Sequence, residues 1–458
     1  MKGSVLPTIL LALAPLVAHA SDADAVLALA EDAGRWIAQQ STEAGGERAW
    51  PDDAHAPDAV SLDLGTGVAG KIVFFVALYN ATGDSTYLEE AMAGGEYLRR
   101  RLAPPDAFTG DRRASLYAGL SGALVAFRHL ASVDPEARGD ADLRYAVSRM
   151  RALAAVEAIE RQLLDWAVVD GGEVYWSPTF NDLLFGDAGT VLALSAPSGL
   201  AGISGQSQAR SGALRLAERL TMADDGGYWP FRRDRDFNLP NFSHGTAGVA
   251  FVLATAADQW NDEALVDAAT AGADYLASIA VRRRGSTLMP YGWPADNWDG
   301  LYEFGWAHGL AGNLLALTKL EQSGIREVEA AALKRELLAT LTSSGLPGKP
   351  VTPLAEPSTP HDLRFGRAGV LYVLAAIDPD GSAELCEALF GYLDEHAVRG
   401  DDTAHWPFDA PDFMGGGTQA PTGLLHGAAG IGLAVLEYHS ALTGKAPYFE
   451  MPDLPRAR

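Results

Sequence analysis

Apolar residues in this chain come in short, dense runs, and each run starts just after the same four-residue element. A Gly-x-(Ala/Ser)-Gly element occurs at Gly67–Gly70, Gly119–Gly122, Gly186–Gly189, Gly245–Gly248, Gly309–Gly312, Gly366–Gly369 and Gly427–Gly430, at intervals of 52 to 67 residues. Each copy runs into a stretch such as Val73–Leu78 or Val249–Leu253 that is apolar on nearly every side, the mark of a buried helix. An amphipathic stretch follows. Across Asp262 to Ala280, for example, Leu265, Val266, Ala269, Ala273, Leu276 and Ala277 share one helical face. The pattern predicts an all-α chain of seven hairpins, each made of a buried helix and a covering helix.

The position four before each first glycine holds Asp63, Ser115, Asp182, Asn241, Gly305, Asp362 and Gly423, residue types favoured at helix N-caps. Each buried helix is therefore expected to be capped there. Glycine inside a helix costs about 1 kcal/mol against alanine, so a repeated pair of glycines implies close approach of neighbouring buried helices. An open solenoid and a closed toroid both satisfy this. A solenoid wants polar end repeats, whereas the first and last copies here are as apolar as the middle ones. This favours closure into an (α/α)7 toroid. Strand signals are slight and no break interrupts the period, so residues 21–458 read as one domain.

The first twenty residues stand outside that ring. Lys2, an apolar run from Val5 to Val17 and Ala18-His19-Ala20 have the form of a secretory signal peptide. Cleavage is expected after Ala20, giving a periplasmic or secreted protein without a membrane anchor. Cys386 is the only cysteine, which excludes an internal disulfide and a Cys-rich metal site. A formal charge of −24 speaks against nucleic acid as a partner, because phosphate binding needs clustered Lys and Arg. A peptide or small-molecule substrate remains.

If the seven buried helices run parallel, their N-termini meet at one rim. The residue before each first glycine then lies at a common mouth, and this position holds Thr66, Ala118, Phe185, His244, His308, Phe365 and His426. The positive end of a helix dipole disfavours imidazolium, and a neutral imidazole is what a general base needs. The plain alternative is that each histidine hydrogen-bonds a neighbouring loop. Asp182 could orient one of them, or serve as a cap. Trp50, Trp229, Trp293 and Trp406 each precede a proline and then a glycine element, and Trp298, Tyr302 and Trp306 crowd in before Gly309. Trp229, Trp293, Trp298, Tyr302, Trp306 and Trp406 are thus candidates for a substrate-binding wall suited to a peptide or sugar; bracing of loops is the competing role. Gly415–Gly417, beside Asp412 and Phe413, reads as a hinge or lid.

The segments Asn181–Gly189, Asn241-Phe-Ser-His-Gly-Thr-Ala-Gly248, Trp306-Ala-His-Gly-Leu-Ala-Gly312 and Leu424-Leu-His-Gly-Ala-Ala-Gly430 resemble the lanthionine synthetase C-like family. The resemblance spans all seven repeats. It implies a double ring of seven inner and seven outer helices. For the lantibiotic cyclases in that family, it implies addition of a cysteine thiol to dehydroalanine or dehydrobutyrine within a peptide. It also implies that Asp182 and His244 match functional positions.

Ala307, Arg364 and Phe365 stand where those cyclases carry their zinc ligands, and Glu303 stands where they place an arginine. Zinc needs three protein ligands, so the expectation is a site with no metal and no cofactor. His244, assisted by His308, would move the proton, with His426 on the same rim. Three functions remain open: an exported peptide-modifying enzyme without zinc, a non-catalytic peptide or ligand receptor, and a carbohydrate-active toroid. Export argues against the first, since lantibiotic maturation normally precedes secretion. The last would need two carboxylates across a cleft, with Asp182, Glu303, Asp362 and Asp412 available.

Overall fold

The computed structural model describes residues 22–455 except 104–105, 135–141, 172, 197–204, 236–237, 296–300, 352–359 and 412–415. The signal peptide expected at residues 1–20 lies outside the described residues. The helices are α1 (Ala23–Gln39), α2 (Val68–Thr82), α3 (Ser85–Arg101), α4 (Leu120–Ser132), α5 (Leu143–Trp166), α6 (Asp187–Ser195), α7 (Gln206–Glu218), α8 (Thr246–Trp260), α9 (Glu263–Ile279), α10 (Leu310–Gln322), α11 (Glu327–Thr342), α12 (Arg367–Ile377), α13 (Ala383–Glu395) and α14 (Ala428–Thr443).

Even-numbered helices are the buried, inner ones; in α2, every residue from Val68 to Tyr79 is buried. Odd-numbered helices cover them. Asp22, Asp84, Asp142 and Asp262 cap α1, α3, α5 and α9 by accepting the N–H two residues on. On α9 the buried face is Leu265, Ala269, Ala273 and Leu276 as expected, but Val266 is exposed and Tyr275 is buried. Each inner helix packs on the outer helix that follows it, while α14 packs on α1. The last inner helix is thus covered by the first helix of the chain. Trp36 of α1 stacks on His405 at 4.6 Å across this join.

Closure is visible in the backbone. The residue two before each first glycine donates its N–H to the carbonyl of its equivalent in the next repeat. The bonds run from Gly65 to Tyr117 (2.9 Å), Tyr117 to Leu184 (3.3 Å), Leu184 to Ser243 (3.1 Å) and Ser243 to Ala307 (3.0 Å). They continue from Ala307 to Arg364 (3.0 Å), Arg364 to Leu425 (2.9 Å) and Leu425 back to Gly65 (2.8 Å). An open superhelix would leave its end members unpaired. The toroid is closed.

The two glycines of each element answer to different constraints. A Cβ on the second, Gly248, would collide with the carbonyl of Phe242 and lie 3.2 Å from the Cβ of Leu183 in the preceding repeat. On Gly70 it would lie 3.0 Å from the Cβ of Leu424, across the join. Close approach between repeats therefore explains the second glycine. The first is hemmed in by the turn before it: a Cβ on Gly67 would lie 2.5 Å from the Ser61 carbonyl. The side chains that press on these glycines, Leu64, Leu116, Leu183, Phe242, Trp306, Leu363 and Leu424, are buried and fill the centre of the ring.

Two sequence expectations need correction. The inner helices start four residues later than expected, with the glycines as N-caps. Asp63, Asp182, Asn241 and Asp362 instead accept the N–H three residues on, from Thr66 (2.8 Å), Phe185 (3.2 Å), His244 (2.9 Å) and Phe365 (2.8 Å). They shape a turn ahead of the helix, because a short polar side chain serves any turn with a free N–H. The structure also contains two-stranded antiparallel ribbons where strand signals were slight. Five of these follow outer helices, as in Val281–Arg283 with Ser286–Leu288. Three-residue strands are too short for an alternating pattern to register. Their tight turns take positive φ, at Arg284 and Gly285 for instance.

After α14 the chain turns back into the hole of the ring, from the end opposite the glycines. Tyr448, Phe449, Met451, Asp453 and Leu454 are buried there. Asn80 donates to the Tyr448 carbonyl (2.8 Å), Phe449 stacks on Tyr372 (6.2 Å), and Tyr117 donates to Asp453 Oδ2 (2.7 Å). The lumen is plugged from below.

Gly248→Ala is expected to destabilise the fold by about 3 kcal/mol or more, since the added methyl meets backbone. Gly391→Ala is the control: it lies on α13, and a Cβ there meets nothing within 4 Å. This substitution should stabilise by about 0.4–1 kcal/mol, and denaturant titration distinguishes the two. Burial raises Asp453 to about 6 from 3.8. A raised carboxyl pKa means its contribution is complete below 3.8 and is lost as pH rises through about 6. Asp453→Asn keeps an acceptor for Tyr117, so its stability should exceed the parent's by on the order of 3 kcal/mol above pH 7 and match it near pH 4, read from thermal unfolding across pH.

Candidate functional site

The seven turns place the residues before each first glycine on one rim, as the sequence implied. Five of them form a continuous aromatic belt. Phe185 to His244, His244 to His308, His308 to Phe365 and Phe365 to His426 are separated by 5.2, 5.4, 5.3 and 5.5 Å between ring centroids. Loop residues close in from above: Phe231 lies 4.7 Å from His244, Tyr291 5.0 Å from His308 and Phe408 4.8 Å from His426.

Two imidazoles are held by carboxylates of the preceding repeat. His244 Nδ1 lies 2.8 Å from Asp182 Oδ2, and His426 Nδ1 lies 2.6 Å from Asp362 Oδ2. Both partners are almost fully buried. A carboxylate only accepts, which assigns the ring proton to Nδ1 and leaves Nε2 as a free base. Asp182 thus fills both roles considered for it, since it also accepts the N–H of Phe185 (3.2 Å). His308 differs. Its preceding repeat offers Asn241, whose Oδ1 is taken by the His244 N–H. His308 Nδ1 stands 3.5 Å from Glu303 Oε2, and neither ring nitrogen has a hydrogen-bond partner among the described residues.

Burial, with His308, Arg364 and Arg112 adding repulsion, pushes His244 well below the usual imidazole range. Burial also pushes the Asp182 carboxyl well up, so the dry pair resists becoming a full ion pair. His426 is lowered by burial too, with Asp362 opposing. Both imidazoles are therefore neutral bases at neutral pH.

Arg364 is the site residue that sequence reasoning missed; it entered only as a lost ligand position. Its signal was there, because it is the one cation at a position otherwise held by Gly65, Tyr117, Leu184, Ser243, Ala307 and Leu425. Although it lies two repeats further on, its Nη2 comes within 3.4 Å of His244 Nε2. Burial lowers its guanidinium to about 10. At the positions the resemblance associates with zinc, Ala307, Arg364 and Phe365 offer a methyl, a guanidinium and a phenyl ring, and none of these can ligate the ion. The residues do not fit zinc.

The tryptophan wall is corrected. Trp229, Trp306 and Trp406 are at most 1% exposed and line no opening. Trp229 and Trp406 donate their indole N–H to the carbonyls of Leu216 (2.7 Å) and Leu393 (2.8 Å), bolting each ribbon to its outer helix. Trp306 fills the ring centre beside Tyr117 (5.5 Å) and Phe242 (5.9 Å). An indole suits such gaps because it pairs a large apolar area with a single N–H. Trp293 is exposed at 37%, and Tyr302 is half-buried and bridges Pro290 through its backbone. Trp298, together with Asp412, Phe413 and Gly415 of the expected lid, lies outside the described residues. Of the carboxylates offered for sugar chemistry, Asp182 and Asp362 are committed to histidines.

A family model described as lanthionine synthetase C-like protein matches residues 58–451. The chain belongs to that family. Among solved structures, nisin cyclase superposes with a TM-score of 0.58 at 15% identity, covering 93% of this chain and 94% of that one. This likeness concerns the fold. D-mannose isomerase gives a TM-score of 0.42 at 11% identity over 92% and 97% of the two chains. An inactive α-1,6-mannanase variant of Salegentibacter sp. HEL1_6 gives 0.37 at 12% over 70% and 87%. No curated protein matches the sequence. Among the described residues, no helix is long and apolar enough to cross a membrane.

In this lanthionine synthetase C-like ring, Asp182 dictates which nitrogen of His244 is protonated. Nitrogen NMR of wild-type protein at neutral pH should find His244 neutral, with the proton on Nδ1. Asp182→Asn should mix the tautomers, and an unchanged Nδ1 signal would refute the orienting role.

Proposed function

We propose that this protein is an exported peptide-modifying enzyme that forms thioethers without zinc. Family membership and the cyclase-like toroid support the reaction class. One observation carries the reading: a neutral imidazole, His244, oriented by buried Asp182, turns its Nε2 towards the mouth beside a guanidinium. In the reaction, His244 takes the thiol proton and the thiolate adds to the β-carbon of a dehydrated residue. The C–S bond forms as the π pair moves onto the carbonyl oxygen. The imidazolium then returns the proton to the α-carbon, so no proton is gained or lost overall. The first-turn N–H groups of the inner helices favour negative charge at the same rim. The peptide is the partner, and the signal-like N-terminus supports action in the periplasm or outside the cell.

One observation favours a second reading, a peptide or ligand receptor on the same scaffold. His244, His308 and His426 are only 6–7% exposed, so the rim stands nearly closed. A sugar-active toroid has less support, because Asp182 and Asp362, two of the four carboxylates offered for it, are held by histidines.

The deciding experiment offers purified protein a peptide containing one cysteine and one dehydroalanine. Thioether formation is read as loss of alkylatable thiol without change of mass. Turnover should survive a zinc chelator and fall about 100-fold or more in His244→Ala. Turnover that needs stoichiometric zinc would refute the zinc-free mechanism. No turnover at all would leave the receptor reading in its place.

A further inference from the structure

We propose that Arg364 and His308 form a seat for an anionic oxygen of the ligand, a carboxylate or an enolate, next to His244 Nε2. The seat rests on the thiol-addition reading only for the identity of that oxygen; as an anion site it stands by itself.

The chain carries 59 acidic residues against 35 Lys and Arg, and its other buried arginines are engaged, Arg367 by the carbonyls of Pro347, Lys349 and Pro360 and others by carboxylates. Arg128 pairs with Glu160 at 2.7 Å, and Arg233 pairs with Asp187. Arg364 does not. Among the described residues it makes no ion pair, its Nε is buried without a hydrogen-bond partner, and its guanidinium carbon lies 4.7 Å from the centre of the Phe365 ring. Among the described residues the fork is engaged only by the weak approach to His244 at 3.4 Å.

The second observation is independent. The side chain of His308 is 7% exposed, and among the described residues both ring nitrogens lack hydrogen-bond partners. In the neutral ring one of those nitrogens bears a proton. A buried donor without an acceptor costs about 1–3 kcal/mol, and such groups call for a water, an ion or a ligand. Two occur here in adjacent repeats, and both border the same imidazole: His308 by ring contact at 5.4 Å and Arg364 by its Nη2.

Glu303, the carboxylate beside His308, stops with its Oε2 3.5 Å from Nδ1 and makes no hydrogen bond to it. Asp182 and Asp362 are held by His244, His426 and the N–H groups of Phe185 and Phe365. An acceptor for a planar guanidinium and an imidazole N–H is a small oxygen anion, and a carboxylate fits the fork. In a dry mouth a fixed cation needs no reorganisation to stabilise developing charge. Where the resemblance would place a zinc-bound cysteine, this chain supplies its positive charge covalently.

The test compares two probes, N-acetyldehydroalanine with its free carboxylate and the neutral N-methylamide of the same compound, by titration calorimetry. The acid should bind wild-type protein at least tenfold more tightly than the amide. Arg364→Gln and His308→Phe should each erase that preference, while thermal unfolding confirms that both variants fold. Arg364→Lys should retain part of it. Equal binding of acid and amide, no binding of the acid, or a preference that survives Arg364→Gln would each overturn the seat. Failure of thioether formation with the acid preference intact counts against the thiol-addition reading alone.

Discussion

Seven backbone hydrogen bonds, passed from one repeat to the next and returned from Leu425 to Gly65, are the constraint on which the structure depends. A closed cycle of this kind fixes the height of every inner helix relative to its neighbours. One residue earlier in each repeat, an apolar side chain must therefore point into the same plane, and seven of them fill the hole. Three residues after the first glycine comes the second, pressed on by that side chain from the preceding repeat. Seven-fold recurrence of glycine is the imprint of this geometry. A Cβ at any one position would push two repeats out of register, and the displacement could not be relieved at a free end.

The same register builds the chemistry. A residue four before the glycine in one repeat meets a residue one before it in the next. The ring offers seven such slots, and their contents decide what each can do. Asp182 meets His244 and Asp362 meets His426, giving two oriented imidazoles. Asn241 faces the slot of His308 and is already used by a turn, which leaves His308 without a partner of this kind. The other slots pair Ala118, Phe185, Phe365 and Thr66 with Asp63, Ser115, Gly305 and Gly423, and make no dyad. Specialisation here means placing two residue types in the correct slots of an otherwise uniform ring.

Much of this was legible in the sequence, and what was not has physical causes. The repeat, the buried and covering helices, the closure and the three rim histidines follow from periodicity, because they are the same event seven times. Helix starts were displaced because Asp and Asn serve turns and helix caps alike. The tryptophans misled because an indole that braces a ribbon and one that lines a cleft have the same spacing in sequence; Trp229 and Trp406 differ from a cleft residue only in where their N–H finds an acceptor. Phe231, Tyr291 and Phe408, which do crowd the rim histidines, each follow a Trp-Pro or Met-Pro pair in the sequence, but spacing alone does not show that an aromatic after the proline turns towards the rim. Arg364 was hidden because its partner is two repeats away, a relation that no local spacing records.

The two ends of the ring are not equivalent, and this bears on how a ligand reaches the site. At the far end the C-terminal segment enters the lumen and runs up to Tyr117, which also belongs to the hydrogen-bonded cycle. The centre is occupied by Trp306, Phe242 and five leucines. No path through the toroid remains, so the floor beneath the histidines is as rigid as the ring itself. Above them stand loops held to the outer helices by tryptophan hydrogen bonds and, near His244, to the inner helix α6 by the Arg233–Asp187 pair. A ligand must come from that side, and the groups awaiting it there are two neutral imidazoles and a guanidinium with no ion pair among the described residues, in a chain of net charge −24. That net charge gives anions no general attraction. Discrimination in favour of an anionic group has to arise at the rim, where water is excluded and a single cation counts most.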